Sequence, residues 1–362
     1  MGPSPRGPRP GRERPHVAPG RWEGGCGAVR VSVVIPVYNM ARYLPACLDS
    51  VLGQEGVEAE VVVVDDGSTD DIQAVIAPYA GRVTYLRTPH QGLPSALNAG
   101  VEASGGDAIA FIDADDLLLP QSLLLRARVL QQLPGVGLVF GPALVLDESG
   151  RTVGLRKAAP RPGLLPSAQA FRWLLRGCRI PNPTVMARRE ALADAGPFRQ
   201  EAFPGEDWHM WLRIASRCDL YCLERPVACY RLHPGSITAR YWVEEVDRSH
   251  RFTLADVFAH VAPEQRGLEP LARCYLERTL AALAARSGRR RDFLRYLVGA
   301  LGRRPLLLLE METWGCLAVG ARSLLPAPVL QGLKRVKAPL ARRRLRYAFA
   351  DDSSETVRAA ER

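Results

Sequence analysis

The sequence predicts an α/β protein: a mainly parallel sheet with helices on both faces, followed by a C-terminal helical region. Two observations carry this. Through the first 116 residues, β-branched apolar runs alternate with segments of helical periodicity, the pattern of strands buried on both faces and crossed over by helices. From about residue 242 onward the chain is rich in Arg and Leu and reads as helix alone.

The elements follow in order. VSVVIPVY (31–38) is a continuous β-branched run, the first strand. Asn39 stands at a helix start, and Tyr43, Leu44, Cys47, Leu48, Val51 and Leu52 follow at helical spacing up to Gly53. EVVVVDDGSTD (60–70) repeats the theme with a strand and a polar turn, and a helix is expected over 71–80. RVTYLRT (82–88) is a third strand, 94–104 a helix, and DAIAFIDADD (107–116) a fourth strand ending in carboxylates. Beyond it are expected a helix over 120–133, a strand near 137–146, a Pro/Gly-rich stretch, a helix over 168–176, a strand from Thr184 to Ala187 and a short helix over 188–195. GEDWHMWLRIASRC (205–218) is helical, with Trp208, Trp211, Leu212 and Ala215 on one face, and LYCLERPVACYRLH (220–233) is strand-like. In open parallel sheets the ligand lies at the carboxyl ends of the strands. Tyr38, Asp65, Asp66, Asp113, Asp115 and Asp116 all fall at that edge.

The chain has 362 residues, 47% hydrophobic and 24% charged, enough for one large domain with an appendage. The expected division is a disordered leader (1–29), a catalytic α/β domain (30–240), a helical region (241–346) and a disordered tail (347–362). The net charge of +10 is concentrated late. No acidic residue occurs from Thr313 to Ala350, whereas Arg322, Lys334, Arg335, Lys337, Arg342, Arg343, Arg344 and Arg346 do. No nucleic-acid reader motif accompanies that charge, so nucleic acid is not an expected partner. The eight cysteines form no CxxC pair and read as ordinary thiols of a reducing compartment rather than a zinc site. The best apolar stretch, 305–329, is interrupted by Glu310, Glu312 and Arg322, which argues against a membrane-spanning helix.

Four pieces carry chemistry. Asp113-Ala-Asp115-Asp116 ends a strand. Alternate residues there point the same way, so the motif reads either as a solvated acidic turn or as a site for Mg²⁺ or Mn²⁺ on diphosphate oxygens. Asp65-Asp66-Gly67-Ser68 reads either as an Asx turn or as an acceptor for a ribose hydroxyl or a base N–H. Glu206-Asp207 opens a helix, which suits favourable charge at a helix N-terminus or a general base. His233 follows a strand in YRLH and matters only if the fold brings it to Asp115.

In this order and spacing, VSVVIPVYN, VVVVDDGSTD, GLPSALNAGVEASGGDAIAFIDADD, GEDWHMWLRIA and YRLHPGSIT resemble the family 2 glycosyltransferases over Val31 to Thr238. The resemblance implies a GT-A fold, a Rossmann-like mainly parallel sheet, and an inverting transfer from a nucleotide diphosphate sugar, with a UDP-sugar favoured. It places Pro36, Tyr38, Asp65 and Asp66 around the base and ribose, and Asn98 and Asp113 around the nucleotide-sugar. It gives Asp115 the metal, Asp207 the role of base with Glu206 beside it, and His233 an additional metal or diphosphate contact. One departure is Leu97, where many relatives carry Arg before the Asn of this helix; that puts borrowed donor assignments in doubt. The resemblance also implies polysaccharide or glycoconjugate assembly with a glycan or lipid-linked acceptor. The apolar surface and basic run of the C-terminal region suggest a cytoplasmic protein in peripheral contact with the inner face of a membrane. Two other classes are a non-catalytic nucleotide-sugar-binding relative and a nucleotidyltransferase; the second wants a Gly-rich basic phosphate loop after the first strand, and PVYNMARYL offers none.

Overall fold

The computed structural model describes residues 29–159, 161–236 and 243–305, with Thr313, Cys316, Leu317 and Gly320 beyond them. The expected tail, the basic run ending at Arg346 and all of the expected leader except Val29 lie outside the described residues.

The chain opens as β1 (Val31–Val37), α1 (Leu44–Leu52), β2 (Ala59–Asp65), α2 (Ile72–Ile76), β3 (Thr84–Arg87), α3 (Leu93–Ala103) and β4 (Ala108–Phe111). It continues through β5 (Leu117–Leu118), α4 (Ser122–Gln132), β6 (Val136–Phe140), β7 (Ala143–Leu146), β8 (Thr152–Arg156), β9 (Gly163–Leu165), α5 (Ser167–Leu174), β10 (Met186–Arg188) and α6 (Arg189–Ala195). Then come α7 (Glu206–Ala215), β11 (Asp219–Cys222), β12 (Ala228–Arg231), α8 (Val243–His260), α9 (Pro263–Arg266), α10 (Glu269–Arg286) and α11 (Arg290–Arg303).

The described residues form an eight-stranded sheet in the order β3-β2-β1-β4-β10-β6-β11-β9 and a four-stranded sheet in the order β5-β12-β7-β8. β1 pairs in parallel with both β2 and β4, and every residue of β1 is buried. Its alternation feeds two cores. Val33, Ile35 and Val37 join Leu44, Leu48 and Val51 of α1, while Val34 joins Leu97 of α3 on the other face. Gly100 lets α3 lie flat on the sheet, since a Cβ there would stand 2.3 Å from Val34 Cγ1. Strand order runs outward one way from β1 to β3 and the other way to β4. The crevice between the ends of β1 and β4 is therefore the switch point where such sheets bind ligands.

Several boundaries differ from the sequence expectation. Asn39 does not start a helix: its φ is +54°, and its Oδ1 accepts from the Thr69 and Asp70 amides, tying the turn after β1 to the turn after β2. The run 137–146 is two strands in two sheets, parted at Gly141-Pro142. The run 220–233 is likewise two strands, parted around Pro226. Proline lacks the N–H that a continuing ladder needs. β10 is antiparallel to both of its neighbours, so the sheet is mixed while remaining mainly parallel. The fourth strand stops at Phe111, and Asp113–Asp116 form a turn closed by the Asp116 amide on the Asp113 carbonyl. Trp208, Trp211, Leu212 and Ala215 are buried as expected, and the rest of α7 is largely buried with them.

Candidate functional site

A cavity of about 1000 Å³ opens at the carboxyl ends of β1 and β4, a volume suited to a large small-molecule ligand. Pro36, Tyr38, Asp66, Asp113, Asp115, Glu206, Asp207 and His233 all line it. Asp65 and Asn98 do not.

At one end the Tyr38 and His90 rings stack, 4.1 Å apart and 16° from parallel. His90 Nδ1 lies 2.9 Å from Asp66 Oδ2, and the same carboxylate accepts from the Gln91 and Gly92 amides. Asp66 thus builds the loop that presents His90. Asp65, expected beside it at the nucleotide, is fully buried and turned inward. Burial pushes its carboxyl up, but hydrogen bonds from Ser68 and Tyr85 and the charge of Arg87 outweigh that and hold it below the usual carboxylate range. Asn98 is likewise committed inside the protein. Its Nδ2 donates to the Phe198 carbonyl at 2.9 Å and its Oδ1 accepts from the Phe198 amide at 2.8 Å, so it clamps the loop leading to α7.

The centre of the cavity gathers the Asp113–Asp116 turn. Burial first, then the charge of Asp115, push Asp113 up to about 7, although Asn182 donates to both its oxygens. Asp115 Oδ2 is 2.8 Å from His233 Nε2. Asp116 faces inward: Oδ1 accepts the Arg231 amide, Oδ2 has no partner, and burial raises its pKa well above normal. Tyr43 packs against His233 with ring centroids 4.8 Å apart. Among the described residues, no cluster of three His, Cys, Asp or Glu side chains has the arrangement of a self-sufficient metal cage.

At the far side α7 begins. Glu206 accepts the Gly205 amide at 3.0 Å, and burial together with the charge of Asp207 pushes it up to about 8. Asp207 is raised by burial, while Cys178 and the Trp208 amide donate to its two oxygens and oppose the rise. The α7 register is fixed by Trp208 Nε1 on the Leu174 carbonyl and by His209 against Asp256 of α8 at 2.8 Å.

Sequence reasoning missed His90, Asn182, Cys178 and Tyr43. His90 had a legible signal, since it follows the third strand at the same sheet edge. Asn182 and Cys178 arrive from a segment with no motif of its own.

The comparisons can be set on this geometry. A sequence model described as glycosyl transferase family 2 matches residues 32–195. A glycosyltransferase of PGL/p-HBAD biosynthesis from Mycobacterium bovis is 38% identical over 190 residues, covering 51% of this chain and 69% of that protein. An uncharacterized Mycobacterium tuberculosis protein is 36% identical over 204 residues, covering 52% of this chain and 62% of its own. Staphylococcus aureus TarS 1-349 in complex with UDP-GlcNAc superposes with a TM-score of 0.55 at 18% identity, over 85% of this chain and 83% of TarS. The mannosyltransferase PcManGT of Pyrobaculum calidifontis, in complex with GDP-Man and Mn²⁺, superposes at 0.51 with 20% identity over 86% and 85%. These two structures establish the GT-A fold and no more. The chain spans less than two thirds of the length of the first curated relatives it matches. With the α/β sheet, the carboxylate-lined crevice and the Mycobacterium bovis relative in agreement, the chain belongs to glycosyl transferase family 2.

Proposed function

We propose that the chain is an inverting glycosyltransferase. It moves a sugar from a nucleotide diphosphate donor, a UDP-sugar by preference, to an acceptor hydroxyl in polysaccharide or glycoconjugate assembly. The observation that supports this best is one cavity with an aromatic stack at one end and Asp113, Asp115, Glu206 and Asp207 gathered beyond it. The relatives' names agree: one belongs to PGL/p-HBAD biosynthesis, and two proteins of the same fold bind UDP-GlcNAc and GDP-Man.

In this reading Tyr38 carries the base, with Pro36 and Asp66 close by. Asp115 and His233 hold Mg²⁺ or Mn²⁺. The residues fit such an ion: several carboxylates crowd the centre with Asp113 raised, and a cation relieves that repulsion. One carboxylate with one imidazole also suits a cation that takes the rest of its shell from diphosphate and water. When bound, the ion neutralises the charge on the departing diphosphate. Asp207 takes the acceptor proton as the acceptor oxygen attacks the anomeric carbon opposite the diphosphate; such a base contributes about 10²–10⁴-fold. Its raised pKa brings it nearer the working pH, and Cys178 and the Trp208 amide fix its orientation. Glu206, protonated at neutral pH, donates to the acceptor.

The test is donor hydrolysis with UDP-, GDP- and dTDP-sugars, with Mn²⁺ or EDTA. Metal-dependent release of one nucleotide diphosphate, lost in Asp115→Asn and Asp207→Asn, is expected. Silence across the panel, with no donor binding by calorimetry, would instead support a non-catalytic relative.

The proposal includes a cytoplasmic location and a peripheral membrane contact through residues 330–346, each basic residue contributing about 1 kcal/mol at an anionic surface. Among the described residues no helix is long and apolar enough to cross a membrane. Deleting 330–346 should abolish sedimentation with anionic vesicles; unchanged sedimentation would end that part.

A further inference from the structure

Two arginines line the cavity, Arg42 and Arg156. Arg42 is paired with Glu148 at 3.2 Å. Arg156 has a different setting. It ends β8, the edge strand of the small sheet, and its guanidinium lies over the Tyr230 ring, 5.3 Å from the centroid. Tyr230 lines the same cavity. Among the described residues no carboxylate lies within ion-pairing distance of Arg156. Its charge acts on Asp207 and Cys178, whereas the groups acting on Asp113 are Asp115, Asn182 and Asp207. Arg156 therefore stands within electrostatic reach of Asp207, the residue that takes the acceptor proton in the reading above.

A guanidinium lying over a tyrosine ring keeps its N–H fork available, and that fork matches two oxygens of a phosphate or carboxylate. The remaining charge of this wall is the negative one of Asp207, since Glu206 keeps its proton at neutral pH. An anionic substrate approaching it is repelled unless a cation meets it.

We propose that Arg156 selects an anionic acceptor, one carrying a phosphate or carboxylate close to the hydroxyl that receives the sugar. This rests on the transferase reading above. Among the described residues Arg156 lines the cavity with no carboxylate in ion-pairing range, and an acceptor oxyanion supplies that direct pair.

The test uses the full chain with three matched sugars: methyl glucoside, methyl glucuronoside and glucose 1-phosphate. Calorimetry with saturating UDP, which fills the donor side, measures their binding without turnover. Transfer from the donor identified by hydrolysis measures kcat/KM. The wild type should prefer at least one anionic sugar over methyl glucoside by tenfold or more. The phosphate and carboxylate arms show which oxyanion is taken. Arg156→Gln should bring that ratio close to one, and Arg156→Lys should keep part of it; thermal melting confirms that both variants fold. An unchanged ratio in Arg156→Gln, or no anion preference in the wild type, overturns the proposal. So does an equal loss for all three sugars with a shifted pH profile, since Arg156 would then act only on the basicity of Asp207. Intact anion preference in binding without turnover of any donor would sink the transferase reading and leave the anion site standing.

Discussion

His233 Nε2 lies 2.8 Å from Asp115 Oδ2, joining the loop after β12 to the turn after β4. In the proposed reading Asp115 and His233 would together hold a divalent ion, which would supply positive charge at the diphosphate. His233→Ala should raise the Mn²⁺ concentration for half-maximal donor hydrolysis by about 10- to 100-fold, the range seen when a ligand or its orienting partner is lost. Saturating Mn²⁺ should restore most of the rate. Titration of free Mn²⁺ by electron paramagnetic resonance checks the affinity without turnover. An unchanged affinity would mean that His233 only ties its loop to Asp115 and packs on Tyr43.

Stability should fall as pH rises above about 6.5. Glu206 and Asp113 are pushed up, mainly by burial, to about 8 and about 7. The folded state therefore keeps protons that the unfolded chain has released above about pH 4. Their stabilisation is complete below that pH and is lost as pH rises through 7 and 8. His209 and His250 are pushed down by burial to about 4. They oppose stability as pH falls below about 6.5, where unfolded imidazoles take up protons. Below about pH 6.5 these two imidazoles therefore offset the two carboxyls, and melting scans of metal-free protein from pH 5 to 9 check the alkaline limb. Glu206→Gln should flatten the alkaline limb, and a melting temperature still rising at pH 8 would contradict the argument.

Much of this was legible in the sequence. The strand runs and the carboxylates at their ends announced the sheet and its binding edge, because a strand buried on both faces leaves a period-free apolar signature. The site's partners were less legible. Asp65 and Asp66 are adjacent and alike in sequence, yet only Asp66 reaches the cavity, because Tyr85 and Arg87 on the neighbouring β3 capture Asp65. Cys178 and Asn182 lie far from the residues they touch, and local pattern carries no such contact. The second sheet was hidden because strands broken at Gly141-Pro142 and Pro226 look continuous by hydropathy.

Tyr38 and His90 stack at 4.1 Å, too close for a base to slide between them. A nucleobase bound here as proposed would therefore take one ring's place against the other. With Tyr38 as the platform, Tyr38→Ala should weaken UDP binding by about 1–3 kcal/mol, the usual worth of a base on an aromatic face. Tyr38→Phe should retain nearly all of it. Calorimetry with UDP and EDTA reads this without metal. Equal losses in both variants would assign the effect to the hydroxyl instead.

Asn98 makes its sharpest prediction through Phe198. The reciprocal bonds at 2.9 and 2.8 Å hold the segment that leads to Glu206 and Asp207. Asn98→Ala removes both and leaves a partly buried N–H and C=O seeking partners, at about 1–3 kcal/mol. The melting temperature should fall by several degrees, since about 2–4 °C accompanies each kcal/mol in a domain of 150–250 residues. Acceptor-dependent turnover should fall more than affinity for UDP-sugar, because the loosened element carries Asp207, the proposed base. If donor affinity were to collapse while melting stayed constant, Asn98 would be touching the donor after all, with its amide turned out of the Phe198 clamp on binding.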